Sequence, residues 1–252
     1  MPLFTANEER HLASLRELVN CPYIDVEHEE VEQLTPPLAD LPPPADFNEK
    51  WRGVQLDGDI VSRGLRFTEL GACWSTMTGE DYDDVSEDVE ADRLIESEPP
   101  EIRGEFFLRS IHDILSQPAG PADPVETEFQ RTFLSELRVM DQTPRSGAGM
   151  LTYLRLKPGT SPLEIWYSDI AAIGAPPYPG GFIQMDITYS EYLDALLLTK
   201  GTYGWQYLYT DISLADGFSD TVDYLEGMLS LFPQIFPNHD YSDLRVRLEA
   251  RL

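Results

Sequence analysis

The chain of 252 residues is 42% hydrophobic and 11% aromatic, enough to bury a core for one large domain or two small ones, and this sets aside a disordered chain. It contains no run of about 18 apolar residues, so no membrane span is expected. Eighteen basic against 45 acidic side chains, net −27, oppose nucleic acid and anionic membranes as direct partners and favour a basic protein.

Thr5 and Glu8 stand at the capping-box spacing and open a helix to about Val19, with Leu12, Leu15 and Val19 on one face. Pro22 ends it. Residues 35–46, TPPLADLPPPAD, hold five prolines and predict an extended, semi-rigid connector with no helix. WRGVQLDGDIVSRGLRFTEL, with β-branched residues and Asp-Gly punctuation, predicts strands or a hairpin. An acidic insert follows at residues 80–98, with ten acidic side chains and one arginine. GEFFLRSIHDILSQ predicts a helix with Phe107, Ile111, Ile114 and Leu115 inward. ETEFQRTFLSELRVM repeats Phe129, Phe133 and Leu137 at i+4, a second helix candidate beside a strand reading.

From residue 150 the pattern becomes β. MLTYLRLKPG, PLEIWYSD and GGFIQMDI are separated by Pro-Gly and Pro-Pro and predict a strand meander. Thr188 and Glu191 then form a second capping box, and Tyr189, Tyr192, Leu193, Leu196 and Leu197 share one helix face. Lys200 suits the last turn, and Gly201 suits a left-handed stop. Tyr203, Trp205, Tyr207 and Tyr209 alternate with other residues, so a strand would place all four rings on one side. That face reads either as core or as a partner surface, because Tyr and Trp are favoured interface anchors. Two helices close the chain, the first with Val222, Leu225, Met228, Leu229 and Phe232 on one face. These elements predict one α+β domain over residues 1–252, a mostly antiparallel sheet with helices to one side.

The sequence holds no readable catalytic motif, and no cofactor or metal is expected. His11, His28, His112 and His239 do not pair at i+3 or i+4, and Cys21 and Cys73 are too few for a disulfide framework or a zinc site. SGAG at 146–149 lacks the lysine that meets phosphates, and no G-x-S-x-G elbow occurs. The opening MPLFTANEERHLASLREL lacks a basic start followed by an apolar block, so no signal peptide is expected, and a cytoplasmic location is the default.

Charge is uneven, with 12 basic and 32 acidic residues in 1–150 against 6 and 13 in 151–252. The acidic insert reads as a solvated surface or as a docking site for a basic partner; the spaced loop pattern of a calcium site is absent. In the docking reading, Asp81, Asp83, Asp84, Glu87 and Asp88 steer the partner, and Trp205 and Tyr207 anchor it.

EIWYSD and TYSEYLDALLL, within residues 162–198, stand as strand, loop, strand and a helix with a Ser/Thr-x-x-Glu start. This segment resembles the closing strand-strand-helix part of the SUKH superfamily. GACW, Gly71 to Trp74, resembles an earlier turn and strand of that domain more loosely. The family's opening L-P-x-x-Y/L-x-x-F-L helix and N-G-G are absent, and the acidic insert and two closing helices lie outside its usual pattern. The resemblance implies an α+β fold that binds proteins, commonly a bacterial immunity protein neutralising a basic, nuclease-like toxin. Two other readings stay open: an enzyme with a carboxylate-lined cleft, and an inhibitor that mimics nucleic acid. Oligomeric state is not read from the sequence.

Overall fold

A computed structural model describes residues 3–79, 95, 98–118, 127–169 and 175–252. The fold is α+β, with two antiparallel sheets among the described residues. The first half contributes α1 (Ala6–Val19), β1 (Ile24–Val31), α2 (Pro44–Phe47), α3 (Gly58–Arg63) and β2 (Glu69–Thr76). Next come β3 (Arg103–Arg109), α4 (Ile111–Ser116), α5 (Glu128–Glu136) and β4 (Leu137–Gln142). The remainder is β5 (Leu151–Arg155), β6 (Glu164–Ser168), β7 (Phe182–Met185), α6 (Tyr189–Thr199), α7 (Ser219–Ile235) and α8 (Ser242–Glu249). One sheet has the order β1-β2-β3 and the other β4-β5-β6-β7.

The expectation of one domain gives way to two compact units. One comprises Met1–Glu29, Ala72–Phe106 and Asp194–Leu252; the other comprises Glu30–Gly71 and Phe107–Leu193. The proline-rich stretch 35–46 lies inside the second unit and marks no boundary.

Both capping boxes form. The Thr5 N–H donates to Glu8 Oε2 at 2.7 Å while the Glu8 N–H donates to Thr5 Oγ1 at 3.2 Å. Thr188 and Glu191 make the same exchange at 2.8 and 3.4 Å. Each pair satisfies donors that a helix start leaves open.

In the first unit, the indole of Trp74 donates from Nε1 to the Lys200 carbonyl at 2.7 Å, and its ring lies 5.9 Å from that of Phe232. Gly104 leaves room for that indole, since a Cβ there would sit 2.5 Å from ring carbons of Trp74. Leu225, Met228, Leu229 and Phe232 of α7 are buried, whereas Val222 is half-buried. On α1, Leu12 and Leu15 are buried as expected, but Leu18 takes the inward place and Val19 is exposed.

In the second unit the meander is regular: Tyr153 pairs with Trp166 and Trp166 with Gln184, while Thr152 pairs with Tyr167 and Tyr167 with Ile183. One face carries Thr152, Leu154, Ile165, Tyr167, Ile183 and Met185, all buried. The other carries Tyr153, Trp166 and Phe182, which pack with Phe133 of α5 and with Tyr178. Asp141 ties this unit together, accepting from the Phe107 N–H at 2.8 Å and the Tyr192 hydroxyl at 2.6 Å.

Four local expectations are corrected. GEFFLR forms β3, and the helix starts only at Ile111, because Ser110 accepts the Asp113 N–H at 3.1 Å as an N-cap. Asp57-Gly58 is no hairpin turn: Asp57 caps α3, accepting from the N–H groups of Asp59 and Ile60 at 3.0 and 2.9 Å. The proline stretch holds one 3₁₀ turn, Leu38–Asp40, and the four-residue α2, whose Pro44 occupies the first helical position, where its missing N–H costs nothing. Residues 203–209 are not a strand: Gly204 at φ +79° turns the chain into a 3₁₀ helix, Trp205–Tyr209.

Candidate functional site

Asp81, Asp83, Asp84, Glu87 and Asp88 lie outside the described residues. Trp205 and Tyr207 are fully buried in the first unit. The Trp205 ring stands edge-on to Tyr209 at 6.0 Å, and the Tyr207 ring edge-on to Phe218 at 5.1 Å. Rings at 0% exposure present nothing to a partner, so the anchoring role expected of them is replaced by a core role. In a 3₁₀ turn the alternation that would have made a one-sided aromatic strand has no single face to define.

The polar constellation of the first unit lies elsewhere. It joins the last turns of α1 to Lys200 and to the residues after α7. Lys200 is 2% exposed and holds φ +51°, a left-handed conformation uncommon for a residue with a Cβ. It follows α6, and Gly201 after it is also left-handed at φ +74°. The Lys200 ammonium donates to Ser14 Oγ at 2.6 Å and to Glu17 Oε2 at 2.8 Å, and lies 5.0 Å from the centre of the Phe236 ring. His239 Nε2 donates to the same Glu17 oxygen at 2.9 Å. Strain of this kind persists where surrounding structure over-determines it. Here the Trp74 indole fixes the Lys200 carbonyl while Ser14 and Glu17 fix its ammonium.

The electrostatics follow from burial and partners. Burial pulls the Lys200 ammonium below its ordinary value, and the hydrogen bond to Glu17 offsets only part of this. Glu17 is a contest with the opposite outcome: burial works to raise its carboxyl, but the hydrogen bonds from Lys200 and His239 hold it below the usual range. Burial pushes the Cys21 thiol up, away from the reactive thiolate. Burial also raises the Tyr241 phenol, whose hydroxyl has no hydrogen-bond partner among the described residues.

Beside this network lies a pocket of about 230 Å³. Glu17, Asn20 and Cys21 form one wall, and Phe236, Asn238 and His239 another. Glu17 is the reachable charged group, since its side chain is 39% exposed against 2% for Lys200. The arrangement can hold a proton donor against Glu17, but it gives the buried ammonium no open approach. Among the described residues no group of three or more His, Cys, Asp or Glu side chains could hold a metal ion.

Sequence reasoning missed this site because Lys200 and His239 stand 183 and 222 residues from Glu17. One signal was present: a lysine closing the apolar run LLLTKG, where a buried cation needs a partner. Compared with known proteins, the chain matches no family model, no curated protein and no solved structure.

Proposed function

We propose that the chain is a non-enzymatic module that binds a basic protein partner through its acidic surface. The observation that carries this reading is a row of carboxylates with no compensating cation. Asp25, Glu27 and Glu29 are all exposed on one face of β1, in the first unit, and none is ion-paired among the described residues. Meanwhile cations are used inside each unit: Lys200 on Glu17, and Arg155 on both Glu136 and Glu164 at 2.8 Å each. With 18 basic against 45 acidic side chains, and two of the cations held inside the units, surface carboxylates set the outer field, which steers a basic partner. The resemblance of residues 162–198 to the SUKH superfamily supports a bacterial toxin, nuclease-like and basic, as that partner, and an immunity role for this chain. The order of β6, β7 and α6 is consistent with that resemblance. No helix among the described residues is long and apolar enough to cross a membrane.

The test starts with the immobilised protein, host lysate and a salt gradient, with eluted proteins identified by mass spectrometry. The association rate of the recovered basic protein is then measured with two charge-reversal variants. One changes Asp25, Glu27 and Glu29 to Lys; the other changes Asp81, Asp83, Asp84, Glu87 and Asp88 to Lys. At low salt, roughly 50 mM, at least one variant associates about tenfold more slowly and with a flatter salt dependence. Unchanged rates and slopes in both sink the reading. Recovery of DNA-binding proteins that nucleic acid displaces would instead favour the nucleic-acid mimic.

A further inference from the structure

The pocket beside Glu17 carries an inference that rests on the acidic-module reading and deepens it. Its walls begin where two helices end, α1 at Val19 and α7 at Ile235. Each C-terminus directs the negative end of a helix dipole, roughly half a charge, towards that region. Lys200 neutralises Glu17, and Arg16 stands in the last turn of α1, but the last turn of α7 carries no basic residue, so that helix end remains as uncompensated negative potential. Both hydrogen bonds to the Glu17 carboxylate go to Oε2, and Oε1 accepts none from a described residue. Asn20 donates from Nδ2 to the Arg16 carbonyl at 2.7 Å, leaving its Oδ1 as a further acceptor, and the Asn238 carboxamide has no partner among the described residues. Phe236 adds an aromatic ring that already attracts one cation, Lys200. The volume, about 230 Å³, equals about eight water-sized groups at about 30 Å³ each, which suits one long basic side chain.

We propose that this pocket receives one organic cation, the guanidinium or ammonium group of a side chain on the basic partner, with Glu17 Oε1 as its principal acceptor. An anion would meet the Glu17 carboxylate, the Asn20 Oδ1 and the C-terminal ends of two helices.

The test uses isotope-labelled full-length protein, with methylguanidinium chloride, the peptide acetyl-Gly-Arg-Gly-amide and sodium acetate as probes. Backbone resonances of Asn20, Cys21, Phe236, Asn238 and His239 are followed. Both cations shift them saturably, acetate does not, and Asn238→Trp, which fills the pocket from an exposed position, weakens both cations at least tenfold. Asn238→Lys, which supplies a competing cation, does the same, so the result does not depend on one variant folding; thermal melts confirm that each is folded. Shifts that do not saturate, that acetate reproduces, or that both variants leave intact overturn the site. Binding of methylguanidinium without the peptide overturns its assignment to a partner's side chain. A basic partner that elutes at the same salt from wild type and Asn238→Lys overturns the pocket's role while leaving the acidic-module reading standing.

Discussion

Glu17 Oε2 accepts from the Lys200 ammonium at 2.8 Å, and the two ends of this pair differ sharply in burial, 39% exposed against 2%. That asymmetry decides which loss is costly. Glu17→Gln leaves a buried ammonium without its counter-charge, a loss of about 3 kcal/mol. Lys200→Met loses the bonds to Ser14 and Glu17 but leaves no buried charge, only a carboxylate that water and His239 still reach, and costs less, about 1.5 kcal/mol. Urea unfolding of both variants at neutral pH measures the difference. Equal costs would mean that burial of Lys200 does not govern the pair.

The same pair sets a dependence on acid. The folded value of Glu17 lies below its ordinary 4.5, so the unfolded chain binds its proton first as pH falls. The stabilisation from Glu17 is therefore complete above the ordinary value and disappears as pH falls through the folded one. Lys200 has its folded value below its ordinary 10.5, so its own titration adds stability as pH rises towards that value. The gap in unfolding free energy between wild type and Glu17→Gln is expected to be flat from neutral pH down to the ordinary carboxylate value and to close below it. A gap that persists unchanged into strong acid contradicts the depressed carboxyl.

Two buried tyrosines predict the alkaline limit, each within its own unit. Burial raises the phenols of Tyr189 and Tyr241 above their ordinary 10.0. Between the ordinary and the folded value the unfolded chain is the one that loses the proton, so stability falls as pH rises beyond about 10. The two differ in partners. Tyr189 shares a hydrogen bond with the Leu65 backbone, whereas the Tyr241 hydroxyl has no partner among the described residues. Tyr189→Phe is expected to cost about 1 kcal/mol at neutral pH, and Tyr241→Phe to cost nothing or to stabilise by about 1 kcal/mol. Each also moves the alkaline unfolding midpoint upward. Denaturant melts at neutral and alkaline pH separate the two effects, and a destabilised Tyr241→Phe would point to a partner for that hydroxyl.

The elements legible in the sequence are those whose causes are local. The capping boxes at Thr5/Glu8 and Thr188/Glu191 are three-residue exchanges, so their spacing suffices. The meander of β5 to β7 follows a period of two between proline and glycine breaks. Residues 203–209 show that same period yet form a 3₁₀ turn, because a left-handed Gly204 and surrounding aromatic contacts outweigh a pattern only seven residues long. Asp57-Gly58 fits a hairpin or an N-cap equally, and only the following helix selects the cap. The Glu17–Lys200–His239 contacts are tertiary, and of that network the sequence shows only local pieces, the lysine closing LLLTKG and the i, i+3 placement of Ser14 and Glu17 on one helix.

A last prediction concerns the support of Lys200. Trp74 is 1% exposed and its Nε1 holds the Lys200 carbonyl, while Gly104 on β3 leaves the indole its space. A methyl at position 104 would lie 2.5 Å from Cε2 and Cζ2 and 2.6 Å from Nε1 of that ring. No rotation of a flexible chain end can relieve this, since the atoms met belong to a rigid, buried indole. Gly104→Ala must shift Trp74 or the strand, at about 1 to 3 kcal/mol, the usual cost of overpacking. Gly58→Ala is the control: its added methyl meets nothing within 4 Å, and on α3 it gains about 0.5 kcal/mol from reduced freedom of the unfolded chain. Thermal melts should therefore show Gly104→Ala several degrees lower and Gly58→Ala unchanged or higher. If the two behave alike, Trp74 is free to move, and the hydrogen bond from its indole does not hold Lys200 in its left-handed conformation.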